Sequence, residues 1–290
     1  MCWKHWRRVR GSSTGVNGIK FACCARSADF EAVAEYGYDF IEIAGRELYE
    51  MPDGEYAALR KQIEGSHVKC CGCNAYCPPD VKMAGPGFSR EKAGEYARRV
   101  ALRATALGAG NVGNVAGNVG NAAGYVGIGS PMSRMLPRGY SRSQALEEMK
   151  MFLEATAEAA KERGMGVLVE ALNPGECNFI TSNEEALAIA EDMAGSGIGI
   201  VYDIYHAVMS SEEPGVFRKI LPHVRHIHVC GIRGTDRRFP VKDDMERLRP
   251  YLEVIKTSGY KGIISVETGY GDIGPAREAL YLLKGEFNED

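Results

Sequence analysis

Four apolar runs in the chain each end on a single metal-ligand type of residue. "VLVE" closes on Glu170, "IGIVYD" on Asp203, "VRHIH" on His228 and "GIISVE" on Glu267. Any one of them could cap the next helix or pair with a surface arginine. Four at equivalent places form a constellation, because burying uncompensated carboxylates together is costly and a cation removes that cost. Three carboxylates and one imidazole suit a hard or borderline divalent ion. Manganese is the expected ion, with magnesium or cobalt as alternatives; zinc also fits, but no thiolate stands at these positions to give it a special preference.

Such a site needs strands whose ends converge. From residue 18 onward, short apolar runs alternate with longer amphipathic segments, the pattern of repeated β-α units. Strands are expected at 19–25, 39–45, 67–73, 125–131, 166–172, 198–206, 224–231 and 262–269. Serine or aspartate before the helices and glycine after them supply start and stop chemistry; Ser27 is one such expected cap. Eight units predict an α/β fold, a single-domain (β/α)8 TIM barrel, in which strand C-termini gather at one mouth. The rival open sheet with a nucleotide site lacks its glycine-rich turn, since "ACCARSADF" offers none. Residues 1–17 read as a flexible N-terminal arm and 18–290 as the barrel. A Gly-Asn-Val-rich insertion interrupts the rhythm at about 108–124, without the Lys-Ser/Thr ending of a phosphate loop.

Other features point to structure. Cys70, Cys71, Cys73 and Cys77 crowd into "KCCGCNAYC", but their spacing matches neither paired zinc ligands nor common iron–sulfur runs, so a buried strand is expected. His226 precedes His228 by two and shares its face of the strand; His67 and His223 fall at strand entrances, where surface positions are expected. A net charge of −3 gives no broad attraction to phosphate backbones or anionic lipid. The basic "MCWKHWRRVRGSSTG" is followed by no apolar run of signal-peptide length. The expectation is a cytoplasmic protein with no nucleic-acid or membrane partner.

Over about residues 18–283 the chain resembles the xylose isomerase-like barrel superfamily of sugar phosphate isomerases and epimerases. Within it, the resemblance is to ketose 3-epimerases of the D-tagatose and D-psicose (allulose) type. It is carried by "VEALNPGE", with Glu170 and Glu176 six apart, by "DIYH", with Asp203 and His206 three apart, and by "HIHV" and "VET". The resemblance implies a small-molecule sugar substrate and a homo-oligomer, a substrate role for Glu176 and His206, and acid–base roles for Glu170 and Glu267. Inverting C3 of a ketose requires proton removal on one face and return on the other, hence two such groups. The family also carries an arginine six residues after the metal-binding histidine. Here Arg233 stands five after His228 and is the expected substrate contact, with Arg237 and Arg238 as rivals. Alternatives in the same superfamily are a C-glycoside deglycosidase and an inosose dehydratase or isomerase. An abasic-site endonuclease is disfavoured by the negative charge and by the lack of histidines at the ends of the first four strands. A non-catalytic carbohydrate-binding subunit would not need all four ligands.

Overall fold

In the computed structural model, the described residues are 18–110, 124–269 and 271–288. The arm at 1–17 and residues 111–123 of the Gly-Asn-Val segment lie outside them. Among the described residues ten strands occur in chain order: β1 (Lys20–Cys24), β2 (Phe40–Glu42), β3 (Lys69–Cys73), β4 (Gly124–Ile128), β5 (Met165–Glu170), β6 (Ile198–Asp203), β7 (Val224–Val229), β8 (Gly231–Arg233), β9 (Asp236–Arg238) and β10 (Ile263–Val266). Eight of them close into a barrel in the order β1-β10-β7-β6-β5-β4-β3-β2, every pair parallel. All eight expected strands are found. The antiparallel β8–β9 hairpin is an addition that the β-α rhythm did not announce.

Period-two alternation decides which side chains enter the barrel. In β5, Val167 and Val169 face the surrounding helices and join the main core, whereas Leu168 points inward and packs with Ala22, Cys71, Tyr125, Val201 and Ile263. Burying a valine or leucine contributes roughly 1.5–3 kcal/mol, so this alternation fixes the register. With the same parity, Cys24, Glu170 and Asp203 lie two residues beyond Ala22, Leu168 and Val201, Glu267 lies four beyond Ile263, His228 joins them from β7, and Glu42 reaches the same level from β2. All six are buried. A polar layer thus sits on an apolar one, at the C-terminal end of the barrel.

The helices follow the expected capping chemistry at Ser89, Ser141 and Ser182, whose hydroxyls accept from the backbone N–H groups of Lys92, Gln144 and Glu185. Ser27 differs: it lies in a short 3-10 turn without a side-chain cap, its N–H held by Glu47. Cys70, Cys71, Cys73 and Cys77 are buried as expected; burial raises all four thiols, Cys70 to about 12, which keeps them protonated. His67 is exposed and His223 half-buried. Among the described residues no helix is long and apolar enough to cross a membrane.

Candidate functional site

Glu170, Asp203, His228 and Glu267 each offer a ligand atom, and these atoms all lie within 4.8 Å of one another. His228 Nδ1 stands 3.2 Å from Glu170 Oε1 and 3.5 Å from Glu267 Oε2. Four buried donors converging from β5, β6, β7 and the end of β10 fit a divalent ion, and oxygen-rich sets of this kind favour hard or borderline cations. Asp203 also performs the ordinary duty of a strand-end acid. Its Oδ1 caps the following helix, accepting from the His206 N–H at 3.2 Å, and Oδ2 is left for the cluster.

The neighbours explain how each acid is aimed. Glu170 lies against Gly129, where a Cβ would come 2.1 Å from its Oε2, so only glycine leaves room for the carboxylate. Its carbonyl is gripped by the fully buried Arg134, whose Nη2 donates at 2.7 Å while Nη1 reaches the Ile128 carbonyl. Glu267 receives Asn74 Nδ2 at 2.8 Å on one oxygen and Arg237 Nη1 at 3.1 Å on the other.

A cavity of about 370 Å³ opens over the cluster, lined by Glu170, Glu267, Asn74, Glu176, His206 and Arg237, with Arg46, Ser130, Met132 and Thr268 among the other lining residues. The turn "NPGE" delivers Glu176 to it. Asn173 Oδ1 accepts the Gly175 N–H, and the Asn173 carbonyl accepts those of Glu176 and Cys177, folding the chain back over the mouth. His206 is placed from below, its Nδ1 accepting the Asn173 N–H at 2.9 Å. Its Nε2 lies 2.9 Å from Arg237 Nη2, so the ring bridges the turn and the arginine.

Arg233 does not occupy the place expected of it. It is exposed and does not line the cavity, whereas Arg237 does. The reason is the hairpin: β8 turns at Gly234, φ +61°, and β9 returns with Ile232 opposite Arg237. Arg237 then stacks on Tyr205, 4.3 Å from the ring centre, and bonds Glu176 and Glu267. Arg238 turns away to pair with Asp244.

Electrostatics reflect the crowding. Burial, with Glu170 and Glu267 nearby, pushes the Asp203 carboxyl up to about 7 despite Arg237. Burial opposes charge on His228, but Glu267 and Glu42 outweigh it and hold the imidazole well above its usual range. Burial likewise opposes charge on Glu42, and His228 and His226 overcome it. His206 is driven the other way, kept neutral by burial and by Arg237.

Glu42, Asn74, Arg134 and Arg237 are site residues beyond those the strand-end rule selected. For Glu42 the signal was present, since "DFIE" is another apolar run closing on an acid.

The family described as xylose isomerase-like TIM barrel matches residues 30–285. A D-psicose 3-epimerase of Agrobacterium fabrum is 24% identical over 249 residues, covering 82% of this chain and 77% of that protein. A ketose 3-epimerase of Arthrobacter globiformis is 31% identical over 126 residues, 42% of each chain. Among solved structures, a D-psicose 3-epimerase crystallised in the presence of D-fructose superposes with a TM-score of 0.72 at 17% identity, covering 93% of this chain and 100% of that one.

Proposed function

The chain belongs to the xylose isomerase-like TIM barrel family, and from that membership and the geometry of the mouth we propose that it is a divalent-metal-dependent sugar epimerase that inverts C3 of a ketose. The observation that carries this reading is the pair of carboxylates, Glu170 and Glu267. They reach one cavity from different strands, each within 3.5 Å of the same His228 nitrogen. Glu170, Asp203, His228 and Glu267 would hold the ion, manganese before magnesium or cobalt. When bound, it supplies positive charge against the negative charge that develops on the C2 and C3 oxygens as C3 loses its proton.

The protein's own groups do the rest. Glu170 exchanges the C3 proton on one face of the sugar and Glu267 on the other, so that removal by one and return by the other inverts the centre. Asn74 and Arg237 aim the Glu267 carboxylate. Glu176, His206 and Arg237 line the cavity to meet the sugar hydroxyls, and the buried Asn74 Oδ1, which has no hydrogen-bond partner among the described residues, is a further acceptor. Similarity to ketose 3-epimerases supports this substrate class.

The test is turnover of a ketose panel in deuterated water with the metal-loaded enzyme. Deuterium at C3 of the product is expected, and neither Glu170→Gln nor Glu267→Gln should interconvert the epimers, since each lacks one of two required bases. Full epimerase activity in either variant with metal retained would refute the two-base assignment.

A further inference from the structure

On the side of the His228 ring away from Glu170 and Glu267 lies a second carboxylate. Glu42 is fully buried, and both its oxygens stand 3.2 Å from His228 Nε2. It is held from two other strands, β1 and β7. The Cys24 thiol donates to Oε2 at 3.2 Å, and His226 Nε2 lies 3.3 Å from the same oxygen while also 2.8 Å from Ser265 Oγ. His226 in turn packs on Tyr125, ring centres 4.4 Å apart, and stands edge-on to His228 at 5.0 Å. A carboxylate only accepts hydrogen bonds, so its contact with Nε2 requires a proton on that nitrogen. Nδ1 meets Glu170 in the same way at 3.2 Å, so the metal-free ring holds both protons; an ion that replaced the Nδ1 proton would leave the Nε2 proton facing Glu42.

We propose that Glu42 is a positioning residue that sets the tautomer and orientation of His228 so that Nδ1 serves as the metal ligand. The inference rests on the reading that those four strand-end residues hold a divalent ion. Carboxylates that orient metal-bound histidines in this way raise the basicity of the ligating nitrogen, and their loss typically weakens metal affinity about 10- to 100-fold. The chief competitor is a different use of the same atoms. Glu42, His226 and His228 could themselves form a three-donor metal site, which would make Glu42 a ligand.

The experiment is calorimetric titration of the chelator-stripped full chain with Mn²⁺, comparing wild type, Glu42→Gln and Glu42→Ala, alongside the thermal midpoints of the metal-free proteins. Wild type should bind one ion per chain. Glu42→Gln should bind about 10- to 100-fold more weakly with a metal-free midpoint close to wild type, and Glu42→Ala at least as weakly. A separate readout needs no variant. In histidine-¹⁵N-labelled wild type loaded with diamagnetic Mg²⁺, NMR should place the His228 ring proton on Nε2, and this decides the matter if the variants fail to fold. Affinity within twofold of wild type in folded Glu42→Gln, or a ring proton on Nδ1, would overturn the positioning role and leave the four-residue site intact. Two ions per chain, falling to one in Glu42→Gln, would overturn it in favour of a ligand role. Failure of wild type to bind any divalent ion would sink this inference together with the metal reading beneath it.

Discussion

Two arginines four residues apart give the sharpest discrimination between sequence spacing and spatial placement. Arg237 donates to Glu267 Oε2 at 3.1 Å and to Glu176 at 3.0 Å, stacks on Tyr205, and its side chain is 21% exposed. Charge-assisted hydrogen bonds of this kind are worth about 1.5–3 kcal/mol each when buried, and partial exposure discounts them. If Glu267 and Glu176 act as proposed, losing one bond that aims the base and another at the substrate edge should cost about 3–4 kcal/mol of transition-state stabilisation. At about 1.4 kcal/mol per tenfold, that is a loss of roughly 10²- to 10³-fold in kcat/KM for Arg237→Ala. Arg237→Lys should recover only part of it, because a single ammonium cannot reproduce the planar fork spanning Glu176 and Glu267. Arg233→Ala, at an exposed position, should stay within about twofold of wild type. Steady-state kinetics on the best ketose of the panel, with metal content checked for each variant, reads all three. Equal losses in Arg233→Ala and Arg237→Ala, or kcat/KM for Arg237→Ala within threefold of wild type, would refute the placement of Arg237 in the site.

Gly129→Ala should push the Glu170 carboxylate aside while hardly altering the thermal midpoint, since the clash is with the far end of a side chain; displacement by about 1 Å should cost on the order of 10²-fold in turnover, and unchanged turnover would count against the cradle. In the metal-free protein, the folded chain keeps the Asp203 proton between about pH 4 and 7 while the unfolded chain releases it, so stability should fall as pH rises through that window and level off above it, by an amount on the order of a few kcal/mol. Chelated Asp203→Asn should lack that slope, and parallel pH profiles for the two proteins would contradict it. Metal binding should also release more protons at pH 6 than at pH 8, measured by calorimetry in buffers of different ionisation enthalpy, because Asp203 has already lost its proton at the higher pH.

How much of this was legible in the sequence depended on whether a rule of the fold governed the residue. Glu170, Asp203, His228 and Glu267 were readable because strand parity and the parallel barrel together dictate that strand-end residues meet at one mouth. Glu42 obeys the same rule, and its apolar run is merely shorter, Phe40 and Ile41 of the three-residue β2. Its partnership with the far nitrogen of His228 follows only from barrel closure, which sets strands 186 residues apart within hydrogen-bond reach. Arg237 was not legible by counting from His228, because the β8–β9 hairpin converts separation along the chain into a reversal in space. Asn74 belongs to a loop and Arg134 to a helix of only four residues, Pro131–Arg134, too short for a period to show which side chain turns inward.

The chemistry of the polar layer supports a cation independently of any relative. Glu42, Glu170, Asp203 and Glu267 place four carboxyl groups around one imidazole, and the facing guanidinium of Arg237 can offset only part of their charge. Without metal the protein compensates with protons, which is what the raised Asp203 and His228 express: one carboxyl stays protonated toward neutral pH and one imidazole holds a charge that its burial opposes. Those two protons sit on ligand groups of the cluster and carry the charge that a divalent ion would bring. An ion exchanging for them therefore leaves the buried charge nearly unchanged while replacing two mobile protons with one fixed centre. The apolar layer of Leu168, Val201 and Ile263 below could not solvate such a cluster. The polar layer is tolerable in the fold because the compensating charge has a defined place among residues of four strand ends, and that same place lies at the floor of the cavity where a sugar would be held.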